Sequence, residues 1–228
     1  MTGHRTISCF VTGTDTGVGK TLVSAALLHA LARRHKRVVG MKPVAAGTTL
    51  VHGRETNEDV LALRAASTLA VPAALDNPVL LPDAVSPHAA AARAGRCIDI
   101  ARIVACHRQL VQLADVVVVE GAGGFLVPLS ARETGADLAR ALGLPVVLVV
   151  GLRLGCLNHA LLTQQAIRAS GLSLAGWVAN HVDPAMLAQD DNIRFLQHHL
   201  DAPLLACMAY QRVPDARTMT MELPLAWQ

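Results

Sequence analysis

Short runs of aliphatic and β-branched residues alternate along the chain with longer alanine- and leucine-rich stretches of helical spacing. The runs fall at 7–12, 37–41, 116–119, 146–150, 175–179 and, more weakly, 204–208. Several, such as VVVV and PVVLVV, are apolar at every position, which is what a strand covered on both faces requires. Helical spacing covers about 20–34, 57–67, 99–114, 135–142, 158–169 and 186–200. Strands that alternate with helices predict an α/β fold, a mostly parallel sheet with right-handed crossovers and helices on both faces. The proline-rich stretch 71–87 reads as a surface connection, and the tail after Arg212 shows little pattern.

The length of 228 residues suits one domain, 1–228, with a well-buried core. Hydrophobic residues make up 52% and charged residues 16%. No apolar stretch reaches the roughly 18 to 20 residues of a membrane helix, so a soluble protein without a membrane partner is expected. The start, MTGHRTISCFVTG, has no apolar signal core. Five scattered cysteines without a CxxC pair argue against a disulfide framework or a zinc site, and a cytoplasmic location is expected. The net charge is +3. Its one tight basic cluster, Arg33, Arg34, His35, Lys36 and Arg37, closes a predicted helix, where cations complement the dipole. With one Tyr and three Phe there are few rings to stack on bases, and no nucleic-acid partner is expected. Only Lys20, Lys36 and Lys42 represent lysine, and two of these fall in motifs.

The segment ISCFVTGTDTGVGKTLVSAALLHAL reads as strand, glycine-rich turn and amphipathic helix, the context of a phosphate loop. Gly13, Gly17 and Gly19 let backbone N–H groups converge on phosphate oxygens at a positive helix end. Lys20 would reach the β and γ phosphates of ATP, and the Thr21 hydroxyl would serve Mg²⁺, a hard ion that prefers oxygen. Five residues, 14–18, separate Gly13 from Gly19, one more than the usual loop. The fold class is therefore α/β, a single-domain P-loop NTPase. Glu120 closes DVVVVEGAGG at a strand end, where an acid faces the ligand crevice of an open α/β sheet. Asp59 in ETNEDV is a second metal candidate, with helix capping as its other reading.

Together with MKPVAAG at 41–47, SPH at 86–88, VVGLRLGCLNHALLT at 149–163 and GWVAN at 176–180, the motifs GTDTGVGKT and VEGAGG resemble, in order and spacing, the dethiobiotin synthetase family. The resemblance covers about residues 6–183. It implies an ATP-dependent cyclo-ligase of biotin biosynthesis. Diaminononanoate would be carboxylated with CO₂ or bicarbonate, the carbamate phosphorylated, and the cyclic urea closed with release of ADP and phosphate. By motif it implies catalytic roles for Lys42, Lys20 and Thr16. Nucleotide contacts would come from Gly17, Val18, Gly19, Lys20, Thr21 and Leu22, from Asp59, Glu120, Gly121, Ala122 and Gly123, and from Asn180 on adenine. Thr21, Asp59 and Glu120 would hold Mg²⁺. The helix start from Leu154 to Ala160 would take the substrate carboxylate at a homodimer interface; Asn158 read alone is also a helix cap.

Two departures bear on that reading. Ala46 stands where the family has a hydroxyl residue, and CMAYQRVP replaces its proline-containing segment after the last strand. No role carries over to His181. Three other readings fit less of the chain. An amidoligase would need a glutaminase module. A partitioning ATPase would carry an early loop lysine where Thr14, Asp15 and Thr16 stand. A catalytically dead module would have lost Lys20, Thr21 or Lys42. No HExxH or HxxxH pattern assigns histidine to a metal.

Overall fold

The computed structural model describes residues 6–51 and 53–227. Its elements in chain order are β1 (Ile7–Gly13), α1 (Lys20–Ala32), β2 (Val38–Met41), β3 (Val44–Ala46), β4 (Thr49–Val51), β5 (Arg54–Thr56), α2 (Glu58–Ala66), α3 (Ala73–Asp76), β6 (Val79–Leu81), α4 (Pro87–Arg93), α5 (Ile100–Leu113), β7 (Val116–Gly124), α6 (Gly135–Leu142), β8 (Val146–Leu152), α7 (Cys156–Ala169), β9 (Leu174–His181), α8 (Gln189–His199) and β10 (Leu204–Met208). Six strands form a parallel sheet in the order β10-β9-β8-β1-β7-β2. The small pairs β3–β6 (parallel) and β4–β5 (antiparallel) stand apart from it.

The apolar runs are continuous because both faces are covered. On β7, Val117 and Val119 face one core with α5 and α6, while Val116 and Val118 face another with α1. On β8, Leu148 and Val150 join Trp177 under α7 and α8. Each such valine or leucine removes apolar surface from water on its own side, worth about 1.5–3 kcal/mol per fully buried side chain. A solvent-exposed face would have imposed alternation instead.

Where the helices begin has identifiable causes. The Asn57 side chain accepts from Asp59 N at 3.0 Å and Val60 N at 3.4 Å and so caps α2. The Thr134 and Asp137 capping box starts α6. Gly155, with φ +95, precedes α7, and no side chain caps that end. The cap expected of Asn158 is thus not made; this residue is exposed in the first turn.

Two stretches differ from the sequence expectation. The connection expected at 71–87 contains α3 and β6, and β6 pairs with β3. The weakly patterned tail packs Met219, Met221, Leu223 and Trp227 onto the core beneath α1. Among the described residues no helix is long and apolar enough to cross a membrane.

Candidate functional site

The site forms where β1, β2, β7 and β8 end. β1 stops at Gly13 and α1 starts at Lys20, so residues 14–19 must turn the chain at the sheet's carboxyl edge. The turn is fastened from below. Thr14 N donates to Val149 O at 3.0 Å. The Val18 side chain is sunk between two strands: a Cβ on Gly13 would lie 2.5 Å from its Cγ2, and one on Gly151 would lie 2.8 Å from its Cγ1. Asn180, at the end of β9 and buried, donates from Nδ2 to Val18 O at 2.9 Å. Gly19 adopts φ +89, a conformation that favours glycine, and a Cβ there would meet Asn180 Nδ2 at 2.2 Å.

Around this loop six charged side chains and a hydroxyl meet. Lys20, only 7% exposed, donates from Nζ to Asp15 O at 3.0 Å. Burial, with the charge of Lys42 added, lowers its pKa to about 8 against the pull of Glu120, Asp59 and Asp15. Asp15 accepts from Thr16 N at 2.7 Å through Oδ1 and pairs through Oδ2 with Arg153, just beyond β8. The Thr21 hydroxyl lies 2.7 Å from Asp59 Oδ1 and 3.0 Å from Glu120 Oε1. Because Asn57 caps α2, the Asp59 side chain is free to turn into the site rather than onto its own helix end.

Lys42 follows β2, and the end of α3 fixes its backbone on both sides. Its N–H donates to Asp76 O at 2.8 Å, and its carbonyl accepts from Asn77 Nδ2 at 2.7 Å. Its Nζ sits 2.5 Å from Glu120 Oε1, 2.8 Å from Asp59 Oδ2 and 3.3 Å from Gly121 O. Burial alone would lower the Lys42 pKa, but Glu120 and Asp59 outweigh it and hold the ammonium charged. For Asp59 burial acts upward, and the charge and hydrogen bond of Lys42 with the Thr21 bond bring the carboxyl below its ordinary range. Glu120 is fully buried, and its Oε2 has no hydrogen-bond partner among the described residues.

Above these groups opens a cleft of about 700 Å³ lined by Thr16, Gly17, Gly19, Lys20, Thr21, Lys42, Asp59, Glu120, Ala122 and Gly123, with Ala46, Ser86, Pro87 and Val127 on its far side. The sequence-predicted site is therefore largely gathered in one place. Val18 and Leu22 belong instead to the core under the loop, and Asn180 lies behind the loop with its amide nitrogen on a loop carbonyl. The start of α7, with Leu154 95% exposed, does not line the cleft. Sequence reasoning missed Asn57, Arg153 and Val127. Only Asn57 carried a local signal, an N-cap residue before Glu58 and Asp59.

A parallel sheet with a glycine-rich loop, a buried lysine and a threonine at a helix start defines the P-loop NTPase fold, which takes nucleotides by their phosphates. More particularly, the chain belongs to the AAA domain family, whose profile matches residues 8–217. Solved structures of similar fold include the cell division protein FtsY of Thermotoga maritima, 17% identical with TM-score 0.55, covering 97% of this chain and 67% of that one. The MinC:MinD cell division complex of Aquifex aeolicus aligns with 16% identity and TM-score 0.56, over 92% of this chain and 85% of that one. The septum site-determining protein MinD of Pyrococcus horikoshii, complexed with Mg-ADP, aligns with 20% identity and TM-score 0.55, over 89% and 80%.

These findings correct the expectation drawn from the motifs. The family matched is the AAA domain, and the similar folds are FtsY and MinD, not dethiobiotin synthetase. The cyclo-ligase activity, the place in biotin biosynthesis, the substrates diaminononanoate and CO₂ or bicarbonate, and the homodimer with a shared substrate site are set aside with it. The physical reason is that GTDTGVGKT and VEGAGG answer to phosphate and cation chemistry, which any P-loop protein needs.

Proposed function

We propose that the chain binds and hydrolyses ATP as its Mg²⁺ complex in the cleft over residues 13–21, and that a protein partner reads the bound nucleotide. The observation that carries this is the convergence of Lys20, Thr21, Asp59 and Glu120 beneath a fastened glycine-rich loop. Loop N–H groups and Lys20 neutralise the β and γ phosphates, and Gly17, Gly19, Ala122 and Gly123 let backbone approach them. The donors for a divalent ion fit: a hydroxyl and two carboxylates are hard oxygen ligands, and the buried Glu120 Oε2 lacks any other partner among the described residues. A bound Mg²⁺ would offset charge on the phosphate oxygens. Among the described residues no three His, Cys, Asp or Glu form a cluster suited to a metal, so this ion relies on Thr21 and the nucleotide for the rest of its shell. Thr16 and Lys42 act at the terminal phosphate, Gly121 O accepts from the Lys42 ammonium, and Asn180 holds the loop from behind through Val18 O.

The assay is phosphate release from ATP and from GTP, with Mg²⁺ and with excess chelator. Hydrolysis that is unchanged by chelator, or by Lys20→Ala, defeats the site assignment; hydrolysis of GTP alone moves the nucleotide to GTP. A protein partner is supported by the MinD fold, found in Aquifex aeolicus with MinC. Hydrogen exchange compared between ADP and a non-hydrolysable ATP analogue tests that part, and protection confined to the cleft would refute it.

A further inference from the structure

The donors assigned to the divalent ion already surround a cation. The Lys42 ammonium bridges Glu120 Oε1 at 2.5 Å and Asp59 Oδ2 at 2.8 Å, and Thr21 leans on the same two carboxylates. We infer that Lys42 and a divalent cation compete for Asp59 and Glu120, so that loading the cation drives the Lys42 ammonium out of the carboxylate pair and into the cleft. The inference rests on the reading of Thr21, Asp59 and Glu120 as metal ligands.

Three features support competition over sharing. A small divalent ion binds oxygen at about 2.0–2.1 Å, so an ion held by both carboxylates would sit next to the ammonium even when it takes the unpartnered Glu120 Oε2, and two cations that close repel strongly in a buried site. The Lys42 backbone is pinned by Asp76 and Asn77, so the strand stays in place and only the four-carbon stem swings. The one other close lysine, Lys20, already holds the loop side at Asp15 O, which leaves the open cleft as the direction of travel. There the terminal phosphate of a nucleotide supplies the negative charge that Lys42 gives up. Cation and nucleoside triphosphate therefore bind with positive coupling, each removing an obstacle to the other.

The test uses the full chain without nucleotide and Mn²⁺ as the probe, followed by calorimetry and paramagnetic line broadening. Lys42→Met is expected to bind Mn²⁺ about tenfold more tightly than the wild type, since the competing charge is gone. Equal or weaker binding by the folded variant overturns the inference. Should Lys42→Met fail to fold, wild-type NMR decides. With three lysines in the sequence, Nζ-labelled spectra are resolvable. Adding Mg²⁺ with a non-hydrolysable ATP analogue should shift the Lys42 signal and end its protection from solvent exchange; an unchanged signal in the loaded protein overturns the inference. Asp59→Asn and Glu120→Gln separate the two levels. If neither weakens Mn²⁺ binding in the presence of the analogue, the metal site itself is wrong and the competition falls with it. If both weaken it while Lys42→Met does not tighten it, only the competition fails.

Discussion

Replacing Gly19 by alanine should damage the loop far more than the same change at Gly17, although both glycines have positive φ. At Gly17 (φ +74) a Cβ meets nothing within 4 Å, so the cost is the left-handed backbone alone, about 1–2 kcal/mol. At Gly19 (φ +89) the same strain applies, and the Cβ would fall 2.2 Å from Asn180 Nδ2. That amide must then leave Val18 O, to which it now donates at 2.9 Å. Losing that bond and stranding a buried carbonyl adds about 1–3 kcal/mol, so Gly19→Ala should cost about 2–5 kcal/mol in all. Urea unfolding of Gly17→Ala, Gly19→Ala, Asn180→Ala and the double variant Gly19→Ala/Asn180→Ala measures it. The double variant should cost clearly less than the sum of the singles, because Asn180→Ala removes the clash. Equal stabilities for the two glycine variants, or strict additivity in the cycle, would refute the contact and its account of the loop.

Arg64 places two hydrogen bonds, at 2.6 and 2.7 Å, on Asp76, whose backbone carbonyl holds Lys42; Arg64→Ala should cost about 2 kcal/mol by thermal melting, and no loss would mean that Asp76 is held without it. Burial takes the His107 pKa down to about 4, so the folded chain keeps the ring neutral. Between pH 6.5 and 4 the unfolded state binds the extra proton, and stability falls with pH by roughly 3 kcal/mol over that window. His107→Gln should flatten the fall in urea unfolding, and an unchanged slope would assign the sensitivity to other groups. Trp227 is 6% exposed and closes the core under α1, so Trp227→Ala should lower stability by about 2–4 kcal/mol; a wild-type melting temperature would show that the tail is not part of the core.

The main sheet was legible because its strands are apolar at every position, and Val116–Gly124 or Val146–Leu152 can satisfy that pattern only between two layers of helices. The pairs β3–β6 and β4–β5 were not. Their strands are three residues long, too short for a period, and Thr49–Val51 is exposed throughout. In the tail, Met219, Met221, Leu223 and Trp227 are interspersed with Thr220, Glu222, Pro224 and the exposed Leu225, so their common core emerges only once α1 is in place. At the site, the loop, Thr21 and Glu120 were readable from local chemistry. The Lys42 bridge to Asp59 and Glu120 was not, because it joins three separate segments of the chain. The function drawn from the whole set of motifs went further than the motifs themselves, which record phosphate chemistry more firmly than the molecule that receives it.

Val18, seated between Gly13 and Gly151, has a kinetic consequence. Residues 14–19 take their shape when the sheet forms, since β1, β8 and β9 each hold one point of the turn. An arriving nucleotide then encounters a finished receptor and waits for no loop to organise. Its association rate should be set by diffusional encounter, falling as ionic strength and bulk solvent viscosity rise, with no added slow phase from loop ordering.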